Sequence, residues 1–453
     1  MDQKLREKIK HEQLGNGLKD HNGLSWLCCY QITQSQAEPV VSAEEKQILR
    51  ELARKVAQIA EQPVQEERRK LWTDHHGLKI TRPLIFIDPE YAWYEFIPHT
   101  VLQCKNNLAR IWEYRLRKEI YWQEVIGDDR VCTKDLPVTY VHTMTSMGLD
   151  PKRTGSSQAD GAYHIDPVLT DWDDMGKLKH RKIIVDYDKT YKILDLAHDV
   201  FDGILNVSLQ GSWWYSDGLT DSLLFLRGFE NVLYDFYENP DELHALMAFL
   251  RDEWMGLLDF VENEKLLSLN NGGEFVGTGG YGWCDDLPGA DFDPNHVKLH
   301  NIWGYGESQA TVSVSPQMFD EFILDYQVPI LNRFGMNFYG CCEILDKRLK
   351  YIREKVQRLR TVAVAPWCDP VCMAEQVKGD FVYCWKQNPA RISVQKPDRD
   401  LVRSEIGNIF DITAQHGCPT EILMRDVRTL AYEPNNAVQW VKIAREEAKR
   451  VYG

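Results

Sequence analysis

Behind Ser42-Ala-Glu-Glu45, which has the form of a helix-capping box, the apolar residues Leu49, Leu52, Val56 and Ile59 recur at helical spacing. Pro63 then stops or restarts that helix. Leu84-Ile-Phe-Ile87 reads as a strand, and an amphipathic stretch runs from about Val101 to Val125. Between about 128 and 187 Asp, Gly and Thr dominate and periodicity fades, which predicts loops and short strands. Beyond about residue 200 the pattern becomes regular. A strand from Ile204 to Leu209 precedes helices over Leu223–Tyr237 and Asp241 to about Val261, and Ser315-Pro316 opens a helix reaching about Phe334. Four strand-helix pairs follow: Met336–Cys342 with Asp346–Gln357, Thr361–Pro366 with Pro370–Val377, Phe381–Trp385 with Asp398–Gln415, and Glu421–Met424 with about Asn435–Val451. This alternation predicts a parallel sheet, and eight such units, counting the less regular early ones, would close a TIM (β/α)8 barrel. The expected organisation is an α/β chain with a helical extension over 1–80, a barrel over 81–453 and an insertion at 128–187.

Composition narrows the function. The 453 residues carry 53 Lys+Arg against 68 Asp+Glu, a net charge of −15, which argues against nucleic-acid and anionic-membrane binding. No run of about 18 apolar residues exists, and Met1-Asp-Gln-Lys-Leu-Arg lacks the apolar core of a signal peptide, so a cytoplasmic protein is expected. The eleven cysteines, an odd number, then read as reduced thiols and not as a disulfide framework.

In a barrel, chemistry sits where strands end and loops begin. Cys341, Cys342, Cys368 and Cys384 fall at or just past predicted strand ends. In Tyr339-Gly-Cys341-Cys342-Glu343, strand alternation would turn Tyr339, Cys341 and Glu343 to one face. Thiolates and a carboxylate there are candidate zinc ligands, though a further ligand is needed from another strand, and a pair of buried thiols beside a neutralised carboxylate is the plain alternative. Lys386 and Asn388 end the next-to-last predicted strand, and Asp426 and Arg428 end the last. Lys386 could hold a carboxylate or phosphate, or form a rim ion pair. Glu307 and Gln309 could line the cavity, and His142 ends a candidate early strand. The candidate catalytic residues are therefore Glu307, Lys386 and Asp426, with Tyr339, Gln309, Asn388, Arg428 and His142 for substrate and Cys341, Cys342 and Glu343 for metal. Gly277-Thr-Gly279-Gly-Tyr-Gly282 matches the dinucleotide pattern, but no helix follows it, so it reads as a flexible loop or lid. Trp213-Trp214-Tyr215 would suit an apolar wall.

The runs Phe225–His244, Val312–Phe322 and Glu433–Val441 resemble the uroporphyrinogen decarboxylase superfamily, over roughly 195–453. That resemblance implies a TIM barrel with its site in the mouth. The superfamily's decarboxylases carry an arginine-rich N-terminal motif, for which this chain has Thr81-Arg82-Pro83. Its zinc-dependent methyltransferases carry a His-x-Cys strand pair and a last-strand cysteine. Here Tyr339-x-Cys341 keeps only the cysteine, and Met424-Arg-Asp426 has none. A rebuilt zinc set from Cys341, Cys342 or Glu343, with Asp426, would follow. The chain lacks the Asp-x-His-x-x-Gly cobalt-binding signature, so the resemblance implies a corrinoid (cobalamin) carried by a separate partner protein and a small methyl donor or acceptor; a homodimer is left open by the sequence. The alternatives are a decarboxylase or lyase acting on a tetrapyrrole or other carboxylate, and a non-catalytic corrinoid- or tetrapyrrole-binding protein.

Overall fold

The computed structural model describes residues 34, 36–150, 152–155, 163–211, 213 and 216–453. Most of the first 40 residues lie outside them, as do Trp214 and Tyr215.

The capping box forms as read. Ser42 Oγ accepts the Glu45 amide at 3.2 Å, and the Glu45 carboxylate accepts the Ser42 amide at 2.8 Å. Helix α1 (Ala43–Ala60) follows, and Pro63 restarts the chain as α2 (Pro63–His76). Next come β1 (Leu84–Ile87), α3 (Asn107–Tyr121) and β2 (Asp135–Thr139). The segment expected as loops and short strands holds β3 (His142–Met144), β4 (Lys152–Gly155), β5 (Tyr163–Asp166) and β6 (Ile183–Val185). Then follow α4 (Tyr187–Phe201), β7 (Asn206–Gln210), α5 (Thr220–Arg227), α6 (Phe229–Glu238) and α7 (Pro240–Asn263). The one helix expected over Leu223–Tyr237 is two, because Gly228 breaks it at φ +81°.

From Met336 onward the chain follows its predicted cadence, preceded by one strand that the pattern did not mark. Strand β8 (Trp303–Gly306) leads to α8 (Pro316–Phe319), a π-helical turn and α9 (Asp325–Leu331). Then β9 (Met336–Tyr339), α10 (Leu349–Lys355), β10 (Leu359–Val364), α11 (Pro370–Val377) and β11 (Val382–Lys386) alternate. The chain ends with α12 (Arg399–Gln415), β12 (Thr420–Met424) and α13 (Asn435–Tyr452). Six strands form a parallel sheet in the order β1-β12-β11-β10-β9-β8.

Among the described residues no closed eight-stranded barrel is seen. The strand expected over Ile204–Leu209 appears as β7, but it pairs in parallel with β2 in a separate two-stranded sheet. The apolar run Glu274–Gly277 yields only one bridge, Phe275 to Tyr281.

The chain divides into two compact units. The first comprises residues up to 141, 185–212 and 385–453. In it α1, α3 and α4 bury Leu49, Val56, Leu108, Trp112, Ile193 and Phe201 against Leu136 and Val138 of β2. The helical preface is thus part of a core and not an appendage. The second unit comprises 142–184 and 213–384 and holds β8, β9 and β10.

Candidate active site

The second unit gathers its chemistry in the loops that leave β8 and β9. Strand β9 ends at Tyr339, earlier than expected, because Gly340 takes φ +102° and turns the chain. A Cβ there would meet the Leu345 side chain at 2.8 Å, so glycine is required by both conformation and space. Cys341, Cys342 and Glu343 therefore follow a bend and do not alternate as strand residues.

Glu307, just past β8, is buried. Its Oε1 accepts the Ser216 hydroxyl at 3.1 Å and its Oε2 accepts the Gln309 amide at 2.8 Å. Gly218 lies so close that a Cβ would sit 2.3 Å from Glu307 Oε1. The Gln327 side-chain amide donates to the Glu307 carbonyl at 2.8 Å and accepts the Tyr339 hydroxyl at 2.6 Å. Glu343 accepts the Ser308 amide at 2.8 Å and the Ser308 hydroxyl, and faces Arg348 at 3.4 Å. Arg348 also donates to the carbonyls of Thr311 and Val314, at 2.8 and 3.0 Å, which ties the two loops together. Gln309 Oε1 accepts the Cys342 amide at 3.2 Å, and the Cys341 and Cys342 sulfurs lie 3.8 Å apart, both half-buried.

The electrostatics of this cluster are anionic. Burial, then Asp221, Glu343 and Cys341, push the Glu307 carboxyl well above the carboxylate range. Burial also raises Glu343, although the Ser308 hydrogen bonds and Arg348 oppose it. Asp221, solvent-accessible in the first turn of α5, is shifted upward by the protein packed around it and then by Cys341. Asp217 is wholly buried, and burial pushes it up to about 8. Neither of its carboxylate oxygens has a hydrogen-bond partner among the described residues. Cys368 is buried, its thiol pushed up to about 12, and it donates to the Glu343 carbonyl at 3.6 Å.

Six of the residues singled out by sequence thus meet: Glu307, Gln309, Tyr339, Cys341, Cys342 and Glu343. His142, in the same unit, packs its ring against Trp213 at 4.8 Å. The glycine-rich loop expected to be a lid is packed down instead. Thr278 is buried with its hydroxyl 3.1 Å from that of Tyr305, and Gly277 fits against the Tyr305 ring.

Lys386, Asn388, Asp426 and Arg428 belong to the first unit. Lys386 is buried at the end of β11. Asn388 Oδ1 accepts the Ala390 amide at 2.9 Å and so caps the turn that follows. Asp426 is exposed at φ +60°, with its amide donating to Glu90 at 2.9 Å. The Arg428 guanidinium lies 4.1 Å from the centre of the Tyr91 ring. Sequence reading missed Glu90 and Arg425, a buried ion pair at 2.9 Å in which burial pushes Glu90 up to about 7. In the second unit it missed Asp217, Asp221, Ser216, Gln327 and Arg348. An isolated acid before a helix carries the same local signal as any turn or cap, so nothing in the pattern marked Asp217 or Asp221.

The donor set suits a divalent cation by its chemistry, since a thiol and several carboxyls crowd one another with Arg348 directed at Glu343. Because Glu343 is held by Ser308 and Arg348, the residues that fit best are Cys341, Asp221 and Glu307: Cys341 raises both carboxyls, and Asp221 raises Glu307 as well.

No family model matches the chain, and no curated protein does. Among solved structures it is similar to a methyltransferase from Methanosarcina mazei. That likeness has 8% identity and a TM-score of 0.44, over 85% of this chain and 99% of the other. No described helix is long and apolar enough to cross a membrane.

Proposed function

We propose that the chain is a cytoplasmic methyltransferase that moves a methyl group between a corrinoid on a separate protein and a thiol or other small acceptor. The observation that carries this reading is the half-buried Cys341 thiol beside Asp221, Glu307 and Glu343 at the ends of β8 and β9. Cys341, Asp221 and Glu307 would hold zinc. Bound there, zinc would supply Lewis-acid stabilisation of a thiolate near neutral pH, where an ordinary thiol is mostly protonated. Glu307, whose carboxyl burial pushes upward, would give up its proton to serve as a ligand. Ser216 and the Gln309 amide hold the carboxylate that remains. Gln309, exposed just past β8, and Tyr339, fixed by Gln327, orient the acceptor and the wall behind it.

The test is metal content of anaerobically purified protein and of Cys341→Ser, with methylcobalamin consumption in the presence of added thiols. Stoichiometric zinc that falls by one equivalent in the variant, together with thiol-dependent turnover, is the expected result. Zinc-free wild-type protein without thiol-dependent turnover overturns the reading. A second reading, a decarboxylase acting on a tetrapyrrole or other carboxylate, is favoured by the buried ammonium group of Lys386. Release of CO₂ from a porphyrinogen would establish it.

A further inference from the structure

We infer that His75, His76 and Glu421 form a second divalent-cation site, of the zinc type, in the first unit. His75 and His76 are the last two residues of α2, and Glu421 is the second residue of β12, in register with Leu84 of β1. All three are buried, at 0%, 3% and 1% exposure. One donor atom from each lies within 4.8 Å of the other two, the one place among the described residues where three His, Cys, Asp or Glu side chains converge so closely.

The separations distinguish a metal site from a plain ion pair. His75 Nε2 stands 3.5 Å from Glu421 Oε2, beyond the roughly 3.2 Å limit of an ordinary hydrogen bond. Apart from that approach, neither ring nitrogen of His75 has a hydrogen-bond partner among the described residues. A buried imidazolium and carboxylate that stopped short of a hydrogen bond would not recover their desolvation cost. Nitrogen and oxygen ligands at the usual zinc distances are separated by about 3.3–3.5 Å along the edges of a tetrahedron. The His75–Glu421 separation already has that length, and His76 offers a donor atom within 4.8 Å of a donor of each.

The surroundings fit the same assignment. Trp72, one turn back on α2, packs against both rings, edge-on to His75 at 6.2 Å and stacked on His76 at 5.9 Å. Its own N–H is spent on the Asp129 carbonyl at 2.8 Å, so it serves as an apolar wall. Two neutral imidazoles and one carboxylate form a ligand set that zinc accepts, with a fourth position for water, and the cation would offset the buried negative charge. Glu421 lies near the start of β12, at the other end of that strand from Arg425 and Asp426. The role is therefore structural: the cation pins the end of α2 to the sheet.

This site is independent of Cys341, and the experiment keeps the two apart. Full-length Cys341→Ser protein is stripped with a chelator and dialysed against Zn²⁺ alone. One equivalent of zinc per chain is expected, with a rise in thermal midpoint that the chelator reverses. That equivalent is lost in Cys341→Ser proteins also carrying His75→Gln or Glu421→Gln, whose folding is checked by circular dichroism. If neither double variant folds, Co²⁺ loading of the Cys341→Ser protein decides. A visible ligand-field spectrum without sulfur-to-cobalt charge transfer supports a site built from nitrogen and oxygen ligands. Failure of Cys341→Ser to take up zinc, retention of the equivalent in a folded double variant, or a sulfur-ligated cobalt spectrum overturns the inference. None of these readouts depends on methyl-transfer turnover.

Discussion

Arg348 and Asp217 show how differently two polar residues of the second unit are treated by their surroundings. Arg348 is buried but saturated: it faces Glu343 and donates to loop carbonyls. Its replacement by Ala would leave Glu343 charged and without its cation in the interior, at a cost of about 3–5 kcal/mol, read from urea unfolding. Asp217 has no such partner, and its ordinary pKa of 3.8 rises to about 8 by burial. The folded state therefore favours its protonated form. That contribution to stability is complete below the unfolded pKa and is lost as pH rises toward 8. Asp217→Asn mimics the neutral acid, so it should raise stability at pH 8 by on the order of 2–4 kcal/mol and flatten the pH profile between about 4 and 8. Equal stability of variant and wild type across that range would contradict this account.

At the scale of elements, most boundaries were legible because their causes are local. The Ser42–Glu45 box, Pro63, Ser315-Pro316 and the strand-helix cadence after Met336 each act within a few residues, and the structure realises each close to where the pattern placed it. The failures have longer-range causes. Strand β7 was correctly sensed as a strand, but its pairing with β2 depends on a partner far away in sequence. Glu45 joins both kinds of information. It caps α1 and also accepts the amides of Lys105 and Asn106, both at 2.7 Å, at the start of α3. Burial would raise its pKa, yet the hydrogen bonds from Ser42, Asn106 and Lys105 outweigh that and bring it from 4.5 to about 2. Its contribution is thus present above pH 4.5 and lost as pH falls toward 2. Glu45→Gln should cost about 1 kcal/mol at pH 7 after solvent screening, and much less near pH 2, by thermal melts at the two pH values.

At the scale of the whole molecule, the net charge of −15 means that self-repulsion opposes compaction. Raising NaCl from low to about 0.15 M, where the screening length is near 8 Å, should lift the thermal midpoint by a few degrees. A midpoint that falls with salt would mean that attractive pairs dominate instead. The sequence by itself determined most of the helices and later strands, the alternation that makes a parallel sheet, and Cys341 and Glu343 as residues at a strand end. Periodicity, caps and glycine turns act over a few residues, so a single chain displays them. Only the tertiary structure decided that Asp221 joins Cys341 and Glu307, that Asp217 is buried, that Glu343 is held by Arg348, and that His75 and His76 meet Glu421. Burial and charge crowding are set by what folds back from distant positions, and no local pattern encodes that.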